Sequence, residues 1–233
     1  MMQLSRRLTA IACMVKKGNR VVDVGCDHGY LPIGLMEQGR IPGAIAMDIN
    51  KGPLLRAASN IKQHGLSRYI ETRLSDGVAA LSTGEGDTLV IAGMGGPLME
   101  HILEEGTEVL KSMEEIILEP QSEAGHLRRY LQENGFSIEA EDMVFEDEKY
   151  YPILKVVHRR MGLMEDEELE YGPCLLKEHH PVLYQYLQYE QSGVGKLIRE
   201  LDKVQSEKAI RRMEELKDKF KLTERALAHY KNK

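Results

Sequence analysis

Tryptophan is absent from the 233 residues, which excludes little. The shortage of cysteine excludes more. Cys13, Cys26 and Cys174 are far apart and form no C-x-x-C, which argues against a zinc ribbon or a disulfide scaffold and fits a reducing, cytoplasmic compartment. No apolar run approaches the ~20 residues that a membrane span needs. The run LTAIACMV after Arg6 and Arg7 has the look of a short secretory segment, but it stops at Lys16-Lys17 and lacks a small-residue cleavage site. Leu4, Leu8, Ile11, Ala12 and Val15 instead recur at helical spacing and predict an amphipathic helix packed on the first strand. No internal repeat or low-complexity tract occurs. His179-His180 has no carboxylate or cysteine at ligand spacing, so a helix N-terminus is expected there and no metal. No feature calls for an obligate protein partner.

What is present describes an ordinary globular chain, 42% hydrophobic and 29% charged, with room for one α/β domain and a small appendage. The charge is unevenly spread. Residues 1–20 carry five basic side chains and no acidic ones, and residues 194–233 carry twelve basic and seven acidic, so the net −6 leaves −16 between them. Basic flanks of this kind either hold a phosphate backbone or are solvated helix faces; charge alone does not choose.

The most informative stretch is VVDVGCDHGYLP, residues 21–32. It predicts a buried strand, a glycine turn and a helix. Gly25 and Gly29 allow positive φ and a close approach of the backbone to a ligand, with N–H groups free to face it. Asp48, ending the strand AIAMD, lies 23 residues beyond Gly25, close to the spacing at which a carboxylate reaches a ribose hydroxyl in Rossmann-like folds. A nucleoside-bearing cofactor follows. The G-x-G-x-x-G of dinucleotide folds is missing, and Asp23 and Asp27 at the turn would repel a pyrophosphate. They suit a cofactor carrying an ammonium and a sulfonium, which points to S-adenosylmethionine. The blander alternative is a plain βα turn in which Asp27 caps the helix.

Strands and helices then alternate. LPIGLMEQG, GPLLRAASNIKQHGL, PLMEHILEEGTEVL and EAGHLRRYLQENGF read as helices, the second burying Leu54, Leu55, Ala58 and Ile61. AIAMD, YIETRLSDG, DTLVIAGMGG and EEIILEPQ read as strands. Residues 137–159 read as a hairpin linked around Glu148-Lys149, which makes the last strand antiparallel. The expected fold is α/β: a Rossmann-like, class I methyltransferase type of seven-stranded sheet with an antiparallel last strand. The expected domains are 1–160 and 161–233. The second begins with an acidic link and continues as a coiled-coil-like α-helical hairpin. Pro181 stands in the first turn of its first arm, Val182, Leu183, Tyr186, Leu187, Val194, Leu197, Leu201 and Val204 form the face of that arm, and a turn falls near Gln205-Ser206. Met213, Leu216, Phe220, Leu227 and Tyr230 form the face of the second arm, with Thr223 in the seam. Gly193 and Gly195 weaken the first arm by ~1 kcal/mol each and are candidates for a break.

Taken together, LSRRLTAIACMV, VVDVGCDHGYLP, AMDIN, SDGVAAL, VIAGMGG and LRRYLQENGFSIEAEDMVFEDEKYYPIL resemble the bacterial tRNA adenine-N1 methyltransferases that act at position 22, the TrmK family. The resemblance runs over essentially the whole chain, with D-H-x-Y-L-P and G-M-G-G its more specific blocks. One departure is Glu119-Pro120-Gln121, where Gln-Pro-Asn is expected in a loop on the substrate side. The resemblance implies that Gly25, Cys26, Asp27, His28 and Gly29 line the methionine part of the cofactor. It implies that Asp48 accepts the ribose hydroxyls, Ile49 packs on the adenine, and Asp76 beside Gly77 accepts the adenine amino group, while Ala92 and Gly93 close the fourth strand beneath. It also implies a tRNA partner held in part by the C-terminal hairpin.

Methyl transfer to adenine N1 uses the lone pair of the base, so the enzyme's main task is placement. The expected catalytic residues are Asp27 or His28, orienting the base edge, and Tyr30, bordering the adenine; Tyr30, Met94, Gly95 and Gly96 are the expected substrate contacts. Another RNA base or a protein as methyl acceptor, or a non-catalytic module binding the cofactor or RNA, are the alternatives.

Overall fold

The strands are β1 (Val21–Val24), β2 (Ala44–Asp48), β3 (Ile70–Leu74), β4 (Thr88–Gly95), β5 (Glu115–Ser122), β6 (Ser137–Glu146) and β7 (Lys149–Val157). They form one sheet in the order β3-β2-β1-β4-β5-β7-β6. β1 pairs in parallel with β2 and β4, β2 with β3 and β4 with β5, whereas β7 runs antiparallel between β5 and β6. Every residue of β1 and β2 is buried, as expected for parallel strands covered on both faces. The computed structural model describes residues 2–204 and 206–231. They divide into two compact units, Met1–Gly162 and Leu163–Lys233.

Helices α1 (Arg6–Met14), α2 (Tyr30–Glu37), α3 (Lys51–Gln63), α4 (Gly96–Glu105), α5 (Thr107–Leu110) and α6 (Ala124–Glu133) complete the first unit. Several details differ from the sequence expectation. α1 packs mainly on β6, β7 and β5 rather than on β1. Its position is fixed at its start, where the Ser5 hydroxyl accepts from Leu8 N at 3.2 Å and Arg6 N donates to Glu146 Oε1 at 2.7 Å. α3 buries Ala57 and Ile61, while Leu55 is 71% exposed. The helix expected over Pro97–Leu110 is two helices meeting at Gly106. The hairpin turns at Asp147-Glu148, one residue early, both with positive φ (48° and 61°), as a two-residue turn between twisted strands requires.

In the second unit the acidic link is helical. α7 (Asp166–Tyr171) opens with a capping box between Glu165 and Glu168, and α8 (Pro173–Lys177) follows. α9 (Pro181–Leu201) starts at His180 with Pro181 in its first turn and runs unbroken through Gly193 and Gly195. α10 (Glu207–Ala228) is capped by Ser206; the other half of the expected turn, Gln205, lies outside the described residues. The seam between α9 and α10 buries Leu183, Leu187 and Val194 against Leu216, Ala226 and Leu227. Leu197 and Val204 are exposed instead, because the buried stripe follows Glu190. Its carboxylate accepts from Tyr171 Oη at 2.6 Å, Thr223 Oγ1 at 3.2 Å and Lys219 Nζ at 2.8 Å, so the polar seam is satisfied.

Candidate active site

The strand order reverses between β1 and β4, and ligands of open α/β sheets bind outside the carboxyl ends of the strands at that point. A cleft of about 290 Å³ opens there. Asp23, Gly25, Cys26, Asp27, His28, Tyr30 and Leu31 form one wall, and Arg7, Leu8, Ala92, Gly93 and Gln121 complete it.

The loop after β1 is tied down by its backbone. Gly25 N and Cys26 N donate to Met47 O at 2.9 and 3.0 Å, and Gly29 N donates to Cys26 O at 2.7 Å. Gly25 has φ +77°, a conformation that favours glycine, and a Cβ there would fall 2.4 Å from the terminal methyl of Met94, which would have to shift. Asp27 also takes positive φ (43°), an uncommon conformation for a residue with a side chain and one that concentrates at functional loops. It does not cap α2; Gly29 holds the N-cap position, with no side-chain bond. The Asp27 carboxylate faces Arg56 Nη2 at 3.0 Å and His28 Nε2 at 3.5 Å. The His28 and Tyr30 rings stack with centroids 5.0 Å apart and planes 10° apart. Tyr30 remains 43% exposed, so this pair is a flat apolar surface beside the carboxylate.

Asp23 is buried at the base of the cleft. Burial, and then repulsion from Asp48, push its carboxyl up to about 7. Asp48 ends β2, and its Oδ1 accepts from Asn50 N at 2.8 Å. Ser75 N donates to Asp48 O at 3.0 Å, which sets Asp76 and Gly77 just beyond the adjoining end of β3. Burial pushes the Cys26 thiol up, so that thiol is a packing group and not a nucleophile.

Of the residues singled out in the sequence, the cleft gathers Gly25, Cys26, Asp27, His28, Tyr30, Ala92 and Gly93. Gly29 supports the loop from behind, where an added Cβ would meet Ala57 at 3.3 Å. Asp48, Ile49, Asp76 and Gly77 stand along the neighbouring strand ends outside the cleft lining, and Met94, Gly95 and Gly96 lead from β4 into α4. Arg7 and Leu8 are lining residues that the sequence did not mark for the site, whereas Gln121 belongs to the segment that departs from the family pattern. The segment Glu119-Pro120-Gln121 is the end of β5 and not a loop. Glu119 is fully buried there, and its Oε2 accepts from Gly93 N at 2.9 Å and Arg7 Nη1 at 2.6 Å. A departure from the family pattern was the one sequence signal pointing at it.

The residues present fit S-adenosylmethionine. Two acids and an arginine share one cleft, matching a ligand with two positive centres and one carboxylate, and Gly25 and Gly93 border it at positive φ. A 3-2-1-4-5-7-6 sheet with antiparallel β7 and a glycine loop at its switch point defines a Rossmann-like methyltransferase of class I. The family model for tRNA (adenine(22)-N(1))-methyltransferase, TrmK, matches residues 21–225. The Bacillus subtilis tRNA (adenine(22)-N(1))-methyltransferase is 32% identical over 98% of each chain. Streptococcus pneumoniae Sp1610, solved with S-adenosyl-L-methionine, is 38% identical with a TM-score of 0.86, covering 97% of this chain and 100% of that one. M. capricolum TrmK, solved with S-adenosyl-homocysteine, is 25% identical with a TM-score of 0.84, covering 98% of this chain and 99% of that one. The chain belongs to the TrmK family of S-adenosylmethionine-dependent methyltransferases.

Proposed function

We propose that this protein transfers the methyl group of S-adenosylmethionine to N1 of adenine 22 in tRNA. The observation that carries this reading is the family match over residues 21–225, which spans both walls of the cleft from β1 onward. When bound, the cofactor supplies an electrophilic methyl carbon on a sulfonium. Asp23 and Asp27 face its positive centres, and the backbone of Gly25, Cys26, His28 and Gly29 borders its methionine part. Asp48 holds the ribose hydroxyls, Ile49 covers the adenine, Asp76 beside Gly77 takes its amino group, and Ala92 and Gly93 form the floor.

N1 lies on the Watson–Crick edge, so the target base must be unpaired or flipped out before it can react. Tyr30, already flat against His28, borders the extruded adenine, and Asp27 or His28 orients its edge. Met94, Gly95 and Gly96 leave space and backbone carbonyls on the other side. Because N1 brings its own lone pair, no covalent nucleophile is needed, and holding N1 in line with the methyl carbon is the chief contribution. Incubation with unmodified tRNA and S-adenosylmethionine, followed by nucleoside mass spectrometry, is expected to give 1-methyladenosine. A different methylated nucleoside would move the reading to another base.

The second unit is the proposed tRNA clamp. Its α10 displays Lys208, Arg211 and Arg212 on an exposed face. Lys208→Glu with Arg211→Glu is expected to weaken tRNA binding about tenfold and to flatten its salt dependence. Cofactor affinity should not change; an unchanged salt slope would remove this role.

Asp23 gives the reading a pH signature. Its folded value near 7 lies above the ordinary 3.8, so the folded protein keeps a proton that the unfolded chain loses. Stability of the free protein therefore falls as pH rises through that window. A cationic ligand favours the carboxylate, so cofactor affinity should rise with pH up to about 7 and then level off. Calorimetric titration at several pH values reads this directly, and Asp23→Asn should flatten the profile.

A further inference from the structure

We propose that Arg7 is the cation that receives the carboxylate of the cofactor's methionine portion, with Glu119 as the positioning residue that holds it in the cleft. The proposal rests on S-adenosylmethionine being the cofactor. An amino-acid group presents an ammonium and a carboxylate a few bonds apart, so a cleft that binds it needs charges of both signs. Asp23 and Asp27 supply the negative ones from the β1 side. Among the described residues lining the cleft, Arg7 is the one with a permanent positive charge; His28 is the other basic group.

The surroundings of Arg7 fix its guanidinium rather than leave it free in solvent. Nη1 donates to Glu119 Oε2 at 2.6 Å, and the guanidinium carbon sits 5.3 Å from the centre of the Tyr151 ring. Gly93 adjoins it, with Nη1 3.6 Å from where a Cβ would stand. The same Glu119 oxygen takes the Gly93 N–H at 2.9 Å, so one fully buried carboxylate ties the arginine to the cofactor floor. An arginine has five N–H donors, and Glu119 is its one carboxylate side-chain partner among the described residues. The other edge of the fork is available for a second carboxylate, a pairing that planar guanidinium geometry favours. Glu119 has no other cation beside it among the described residues, and its Oε1 is buried without a hydrogen bond. A carboxylate so placed acts on the cleft through Arg7.

Binding of two ligands separates this role from a merely structural one: S-adenosylmethionine, and its decarboxylated form, which keeps both positive centres and lacks the carboxylate. Arg7→Met in the full chain should weaken S-adenosylmethionine roughly 10- to 100-fold, the range of a charged hydrogen bond, and change decarboxylated ligand affinity by less than about threefold. Glu119→Gln, which keeps an acceptor for Gly93 N, should cause a smaller loss with the same selectivity. If Arg7→Met strands the buried charge and unfolds, Arg7→Met/Glu119→Gln removes both charges and carries the same test. Equal losses for both ligands, or no loss for either, would overturn the proposal. So would a drop in tRNA affinity alone, which would make Arg7 a phosphate contact. Failure of the wild-type protein to bind S-adenosylmethionine at all would instead defeat the cofactor reading.

Discussion

Truncating Arg128 to alanine is expected to cost about 3–5 kcal/mol of stability, the usual loss when one member of a buried ion pair is removed. Arg128 in α6 meets Glu141 in β6 at 2.8 Å, and the two side chains are 1% and 0% exposed. The pair joins a helix to the edge strand where solvent cannot replace either partner. Removing the guanidinium takes away the charged partner that Glu141 meets at 2.8 Å inside the fold. Domains of ordinary stability have about 5–15 kcal/mol in total, so this one change should consume a large share. Denaturant unfolding would show it as a lower midpoint at an unchanged slope. Replacing both residues, as in Arg128→Met/Glu141→Leu, should recover most of the loss. A single-variant loss below about 1 kcal/mol would mean that the Arg128–Glu141 pair contributes no more than a surface ion pair.

Asp48→Ala should have the largest effect on cofactor binding. A carboxylate accepting two ribose hydroxyls contributes charged hydrogen bonds of about 1.5–3 kcal/mol each, so affinity should fall roughly 100-fold or more. The side chain also has a local task, since Oδ1 accepts from Asn50 N at 2.8 Å at the start of α3. Asp48→Asn separates the two: it keeps an acceptor for Asn50 but loses the charge. Binding should stay well below wild type while the melting temperature stays near it. Both variants also remove the charge that repels Asp23, so the Asp23 carboxyl should fall below about 7, while burial, the larger cause, still holds it above its ordinary range. Cofactor affinity within threefold of wild type in Asp48→Ala would take Asp48 out of the site.

Much of the fold was legible because strong local signals agreed with the packing. β1 and β2 are short β-branched and alanine-rich runs bounded by glycine, and they occupy the residues expected of them. Pro181 marked the start of α9 because proline costs nothing in a first turn. The errors arose where tertiary contacts overrode periodicity. Leu55 matched a helical stripe, yet the sheet takes Ala57 and Ile61, since a small residue lets α3 approach the glycine loop at Gly29. Leu197 and Val204 had the right spacing and were left outside by a seam centred on Glu190 and Thr223, polar residues that hydrophobic patterning does not register.

The site divides in the same way. Its β1 wall is contiguous in sequence and could be read from glycines and acids. The opposite wall is assembled from residues far apart in the chain, Arg7, Gly93, Glu119 and Gln121, and no local pattern joins them. Arg7 looked like one basic residue in a basic N-terminal segment until β5 brought Glu119 beside it. Glu119 stood out only as a departure from a resemblance, and its burial in a strand gives that departure a physical role.

The most direct measurement is primer extension on tRNA treated with the protein and S-adenosylmethionine. Methylation at N1 blocks Watson–Crick pairing, so the account predicts a new stop immediately 3′ of position 22. That stop should be absent without cofactor and absent on a transcript carrying guanine at that position. A cofactor-dependent stop at another position, or none on a transcript that the protein demonstrably binds, would contradict it.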